Sequence, residues 1–220
     1  MSFAAKRPRA HRYSGFVTVA LLAAATMLLG NPLIPRAWAG CPDVEVVFAR
    51  GTNEPAGVGK VGGAFINSLR QLTHRNIGAY GVNYPANDDF LAAADGANDA
   101  SAHIQHMAGN CPNTQLVLGG YSQGAAVIDI VTAAPIPALG FRDPLPAEAA
   151  DHVAAVALFG NPSGRAGNLM TALSPDFGGK ILNLCNPGDP ICSDGNSWQA
   201  HLNYVPGLTT KAAHFVAAKI

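Results

Sequence analysis

The sequence predicts an α/β fold: a central parallel sheet of about five strands, flanked by helices on both faces, with no cap domain. Three observations lead there. Short apolar, β-branched runs alternate with segments whose apolar residues recur at helical spacing. The segments richest in reactive side chains follow strand-like runs, where open parallel sheets gather their sites. Once a leader-like segment is set aside, about 180 residues remain, enough for one domain and little more.

The leader comes first. Lys6, Arg7, Arg9 and Arg12 form a basic stretch, Phe16 to Leu29 is an almost unbroken apolar run, and Ala37-Trp38-Ala39 offers small residues at a cleavage-like site. This is the layout of a secretory signal peptide, so residues 1–39 are expected to be removed and residues 40–220 to form the domain. The apolar run is shorter than the roughly 20 residues of a spanning helix, so no integral membrane segment is expected. Twin arginines are missing, which favours the general secretory route. Trp38 stands where a lipobox would want leucine, which argues against lipidation of Cys41. Removal takes five of the 14 Lys+Arg and none of the 14 Asp+Glu. The acidic remainder argues against a broad nucleic-acid-binding or anionic-membrane surface.

Along the remaining chain, Val44 to Ala49 reads as a buried strand ending in Arg50-Gly51-Thr52-Asn53. Val61, Phe65, Leu69 and Leu72 share a helix face. Ile77 to Tyr84 reads as a strand stopped by Pro85, and Asp99 to Ala108 as a helix. Thr114 to Leu118 is strand-like and Ala125 to Ala133 helical. Pro135 to Pro146 contains four prolines and reads as a connection. Val153 to Phe159 and Lys180 to Leu184 supply two more strands, and a terminal helix carries His214.

Four cysteines in an exported chain read as two disulfides, with three possible pairings. Cys185 and Cys192 enclose Pro187, Gly188 and Pro190, which makes a local clamp the natural choice and leaves Cys41 to Cys111. No C-x2-C spacing exists, so no metal is expected.

Gly120-Tyr121-Ser122-Gln123-Gly124 lies between the strand-like Leu116 to Gly119 and the helical Ala125 to Val131. A strand turning sharply into a helix around G-x-S-x-G is a nucleophile elbow, with glycine where side chains would collide. A serine hydroxyl needs a histidine to take its proton and a carboxylate to fix the imidazole. Ser122 is followed by His152, His201 and His214. His152 precedes a strand at the wrong end. His201, after a Gly/Asn/Ser/Asp-rich loop, is the expected base, with His214 its rival. Asp189, inside the Cys185–Cys192 ring, is the expected acid, with Asp143, Asp176 and Asp194 as alternatives. The Gln123 N–H opens a helix, and Thr52 follows the first strand; both are expected oxyanion donors.

Ala49-Arg50-Gly51-Thr52, Gly120 to Gly124, Cys185-Asn186-Pro187-Gly188-Asp189-Pro190-Ile191-Cys192 and His201-Leu202-Asn203-Tyr204 together resemble the cutinases. The resemblance is strongest to the cutinase-like secreted carboxylesterases of mycobacteria and related actinobacteria, and covers the chain from Cys41 onward. It implies a small α/β-hydrolase with Ser122, Asp189 and His201 as triad. It likewise implies oxyanion donors at Thr52 and Gln123, and bridges Cys41–Cys111 and Cys185–Cys192. Fungal cutinases usually carry serine where Thr52 stands.

A secreted serine esterase without cofactor is therefore expected, monomeric, free or held at the envelope. Its substrate would be a small-molecule or lipid ester of short to medium acyl chain, phospholipid included. Phe90, Leu91, Trp198, Leu202 and Val205 are the candidate acyl contacts. The alternatives are an acetylxylan or other carbohydrate deacetylase, disfavoured by few aromatics beside Ser122, and a non-catalytic secreted antigen.

Overall fold

The structure, a computed structural model, describes Met1, residues 40–166 and residues 170–220. The expected leader, apart from Met1, lies outside the described residues. The domain comprises β1 (Val44–Ala49), α1 (Gly59–Thr73), β2 (Ile77–Gly81), α2 (Ala93–Asn110), β3 (Gln115–Tyr121) and α3 (Gln123–Ala133). Then follow α4 (Ala147–Asp151), β4 (Val153–Phe159), β5 (Ile181–Leu184), α5 (Trp198–Leu202) and α6 (Gly207–Ala217).

All five strands are parallel, in the order β2-β1-β3-β4-β5. From β1 the chain first steps outward to β2, then returns to the other side for β3. At such a reversal the loops after two adjacent strands part and leave a crevice at the strands' carboxyl ends. Here those loops are Arg50–Thr52 and the turn at Ser122.

Both faces of the sheet are covered, which explains why its strands read as continuous apolar runs. Val47, Leu116, Leu118, Val156 and Leu158 pack toward Ala97, Ile104, Val127 and Ile128 of α2 and α3. Their neighbours Val46, Phe48, Val117, Ala157 and Phe159 point the other way, toward Phe65 and Leu69 of α1 and Ala212 and Val216 of α6. The alternation is the two-residue period of a strand. Phe48 anchors the second face, its ring 6.4 Å from Phe65 and 6.2 Å from Phe159. Gly62 and Gly119 make room for it: a Cβ at either would lie 2.6 or 2.5 Å from the Phe48 ring.

β2 ends at Gly81, three residues short of the strand expected from sequence. Val82 N–H still reaches the Phe48 carbonyl at 3.0 Å. Beyond it the buried Arg50 guanidinium donates to the carbonyls of Val82 (3.3 Å), Tyr84 (2.8 Å) and Pro85 (3.4 Å), so a side chain replaces the ladder. α2 begins six residues before the expected helix. Asp89 caps a 3-10 turn, Phe90–Ala92, by accepting from Leu91 N–H at 3.1 Å, and that turn runs straight into the helix. Two bridges close the domain: Cys41–Cys111 joins its start to the end of α2, and Cys185–Cys192 closes a ring after β5. Among the described residues no helix is long and apolar enough to cross a membrane.

Candidate active site

The β3–α3 turn is dictated by its glycines. A Cβ on Gly120 would lie 2.2 Å from the Gly124 carbonyl oxygen, and one on Gly124 would lie 2.0 Å from that of Ala49. Between them Ser122 adopts φ 56°, ψ −119°, a conformation costly for a side-chain-bearing residue, of order 1–3 kcal/mol. Ser122 N–H is tied to the Phe159 carbonyl of β4 at 2.9 Å, so the elbow is fixed to two strands.

His201 sits on α5, a short helix that follows the Gly/Asn/Ser/Asp-rich loop. Ser197 starts it by accepting from Ala200 N–H at 3.3 Å. The imidazole is buried, with Nε2 2.9 Å from Ser122 Oγ and Nδ1 2.8 Å from Asp189 Oδ2. A carboxylate only accepts, so Nδ1 carries the proton and the Nε2 lone pair faces the serine hydroxyl. Tyr121 stacks on the ring at 5.1 Å and 24°, and its hydroxyl donates to the His201 carbonyl at 2.6 Å. Gly160 (φ 60°) supplies the remaining clearance, since a Cβ there would stand 3.0 Å from His201 Cε1.

Asp189 is completely buried inside the Cys185–Cys192 ring. Besides His201 it accepts from Ile191 N–H at 2.7 Å through Oδ1 and from the Tyr204 hydroxyl at 2.6 Å through Oδ2. These donors leave neither oxygen of the buried side chain without a hydrogen-bond partner. Tyr204 is itself fully buried, and burial, reinforced by its bond to Asp189, raises its hydroxyl pKa well above the ordinary tyrosine value. Sequence reasoning passed over Tyr204 as part of a motif; a tyrosine destined for the core, needing a partner for its hydroxyl, was the available signal. Cys185, Asp189 and Cys192 form a metal-like grouping, but both sulfurs are committed to the bridge.

The rivals lie elsewhere. His214 is exposed on α6, His152 lies at the amino end of β4, and Asp143, Asp176 and Asp194 are exposed.

Thr52 lies across from His201. Its hydroxyl donates to Gln123 Oε1 at 3.1 Å, while Gln123 Nε2 donates to the Asn87 carbonyl at 3.1 Å. Because that carbonyl can only accept, the amide orientation is determined, and so is the donor role of Thr52. Gln123 also opens α3, where first-turn N–H groups have no carbonyl within the helix. The Thr52 loop is braced by Glu54, which accepts from Gly51 N–H at 2.7 Å and Lys60 N–H at 2.8 Å.

These groups open onto a cleft of about 820 Å³. Of the expected acyl contacts, Phe90, Trp198 and Leu202 line it. Leu91 does not line it and is largely exposed, and Val205 packs against the core cluster that α1 and α6 share. Pro162 and Arg165 form another wall. Behind them the buried Asp129 of α3 accepts from Asn161 Nδ2 (2.8 Å) and Ser163 Oγ (2.6 Å), and bonds the Thr171 hydroxyl.

A serine on a strained turn, an imidazole nitrogen facing its hydroxyl and a buried carboxylate stand in line, with Thr52 and Gln123 lining the same cleft, an arrangement that can carry acyl transfer on a small doubly covered sheet. The cutinase family model matches residues 40–220. The chain is 70% identical over 211 residues to "Phospholipase Culp4" of Mycobacterium tuberculosis, covering 96% of this chain and 93% of that protein. It is 55% identical over 213 residues to "Probable carboxylesterase Culp3" of the same species, covering 94% and 81%. Among solved structures, a Trichoderma reesei cutinase bound to a phosphonate inhibitor superposes with TM-score 0.67 at 36% identity, covering 81% of this chain and 76% of that one. The catalytic core of a T. reesei acetyl xylan esterase superposes with TM-score 0.70 at 27% identity, covering 82% and 100%. The chain belongs to the cutinase family, and it is a carboxylic ester hydrolase.

Proposed function

We propose that Ser122 is the nucleophile, His201 the general base and Asp189 the acid of a secreted esterase working through an acyl-enzyme. The observation that carries this reading is the line from Ser122 Oγ to Nε2 (2.9 Å) and from Nδ1 to Asp189 (2.8 Å). As Oγ attacks the ester carbonyl, its proton passes to Nε2, and Asp189 stabilises the imidazolium. The carbonyl oxygen, now anionic, takes the Gln123 N–H and the Thr52 hydroxyl, which turns from Gln123 Oε1 to meet it. His201 returns the proton to the departing alcohol, and water repeats the sequence to release the acid.

The substrate is a carboxylic ester of short to medium acyl length, lipid or phospholipid esters included. Support comes from the apolar lining at Phe90, Trp198 and Leu202 and from the likeness to a relative named as a phospholipase. The acetyl xylan esterase likeness favours carbohydrate deacetylation as the second reading. Two bridges fit an oxidising compartment, and we read residues 1–39 as the leader that delivers residues 40–220 there.

The test compares the protein with Ser122→Ala on p-nitrophenyl esters of increasing acyl length and on acetylated xylan. Turnover should fall roughly 10⁴-fold or more in the variant. An organophosphonate ester should label the parent stoichiometrically at Ser122. Near-normal turnover by Ser122→Ala would refute the nucleophile, and preference for acetylated xylan would favour the second reading.

A further inference from the structure

Beside the cleft, the connection from α3 to α4 folds into a small hairpin of unusual chemistry. Ala138 and Phe141 pair as an antiparallel bridge, exchanging N–H···O bonds of 3.0 and 2.9 Å. The two residues between them, Leu139 and Gly140, have φ of 48° and 90°. A two-residue turn left-handed at both positions calls for Asn-Gly or Asp-Gly, because other side chains crowd their own backbone there. This chain places leucine instead and leaves it 98% exposed. Ile136, on the incoming arm, is 67% exposed.

The hairpin is built to hold that position. Phe141 is sunk in the core. Asn98 of α2 clasps the turn, Nδ2 donating to the Gly140 carbonyl at 2.9 Å and Oδ1 accepting from Arg142 N–H at 2.8 Å. Ser101 bonds the Asp143 carbonyl. Gly140 rests against Ala94, whose Cβ is 3.2 Å from where a Gly140 side chain would begin. Ala94 adjoins Ala93, which lines the cleft, and follows the Phe90–Ala92 turn, where Phe90 is 66% and Leu91 84% exposed. Leu139, Leu91 and Phe90 thus stand near the amino end of α2, with Phe90 also lining the cleft.

We propose that the Leu139 hairpin and the Phe90-Leu91 turn form a docking shelf that seats the cleft on a neutral or zwitterionic lipid surface. Phe90 belongs to both shelf and cleft, so what covers the shelf is continuous with what enters the site. A second copy seated there would obstruct the mouth through which ester must pass. The charge around the shelf selects the lipid: the exposed Asp88, Asp89, Asp95 and Asp143 outnumber the exposed Arg142 beside the hairpin, and neither ion pair among the described residues involves them. An anionic surface would be repelled. The choice of lipid draws on the lipid-ester reading of the cleft, but the test contains no ester.

The protein as released by the expressing cell is titrated with sedimentable vesicles of diether phosphatidylcholine, and in parallel with vesicles containing anionic diether lipid. Leu139→Asn supplies the residue the backbone prefers, so its melting temperature should hold or rise and its turnover of a soluble short-chain ester should be unchanged. Its partition onto the zwitterionic vesicles should fall about tenfold, the loss expected for one buried leucine. Leu139→Gly should behave alike if the asparagine variant misfolds. Equal binding by parent and variant, absence of parent binding, or binding confined to anionic vesicles overturns the proposal. So does a concentration-dependent dimer that Leu139→Asn abolishes, which would assign the shelf to a second copy.

Discussion

Replacing Tyr204 by phenylalanine removes one oxygen from the centre of the site. That oxygen donates to Asp189 Oδ2 at 2.6 Å and accepts from Asn186 N–H at 3.2 Å, with no exposure to water. A hydrogen bond to a charged group contributes about 1.5–3 kcal/mol, and an abandoned buried N–H costs about 1 kcal/mol more. The ring itself stays, with its edge contact to Phe159 at 6.1 Å. The expected loss is therefore about 2–4 kcal/mol, or roughly 5–15 °C in melting temperature for a domain of this size. Asp189 keeps His201 Nδ1 and Ile191 N–H, so kcat on a soluble p-nitrophenyl ester should drop about tenfold with KM little changed, far less than removal of a triad member. Calorimetry and steady-state kinetics on the same preparation read both effects. A melting temperature within about 2 °C of the parent, with unaltered kcat, would refute the idea that Tyr204 holds the carboxylate in place.

Thr52→Val keeps the shape of the side chain and removes the hydroxyl, so kcat should fall about 10²-fold or more while Thr52→Ser retains most activity. Valine at near-parental kcat would remove Thr52 from the oxyanion site. Alkaline stability follows from the tyrosines. Burial, then the bond to Asp99, pushes the Tyr80 hydroxyl up to about 12, and burial raises Tyr84 and Tyr121 as well. The folded protein holds these protons where the unfolded chain has released them, so their contribution is complete below about pH 10 and is lost as pH climbs toward the folded values. Melting temperature measured from pH 8 upward should fall beyond about pH 10; a flat or rising curve would contradict the assignment.

The sheet was legible because its inner strands are buried on both sides, so composition alone marks Val44–Ala49 and Val153–Phe159. Element ends were less so. β2 stops where Arg50, distant in sequence, takes over its carbonyls, and the α2 boundary depends on a cap at Asp89. At the site, motif spacing brought Ser122, Asp189 and His201 into view, and local pattern favoured His201 while leaving His214 as a rival. What separates them is burial and reach: one imidazole is enclosed 2.9 Å from the serine hydroxyl, the other faces solvent on α6. Tyr204, Gly160 and the side chain of Gln123 act through contacts that cross elements, which no run of neighbouring residues records.

The Asp129 network has a consequence for how the cleft can change. The helix that begins at the nucleophile also holds, about two turns further along, the carboxylate that grips Asn161, Ser163 and Thr171. The wall at Pro162 and Arg165 and the serine are thus mounted on a single rod. Substrate range can drift freely at the Phe90 rim, which hangs on another element. On the opposite bank, residues that reshape the groove also tilt the helix that aims the nucleophile, so variation in that wall is coupled to the chemistry it borders.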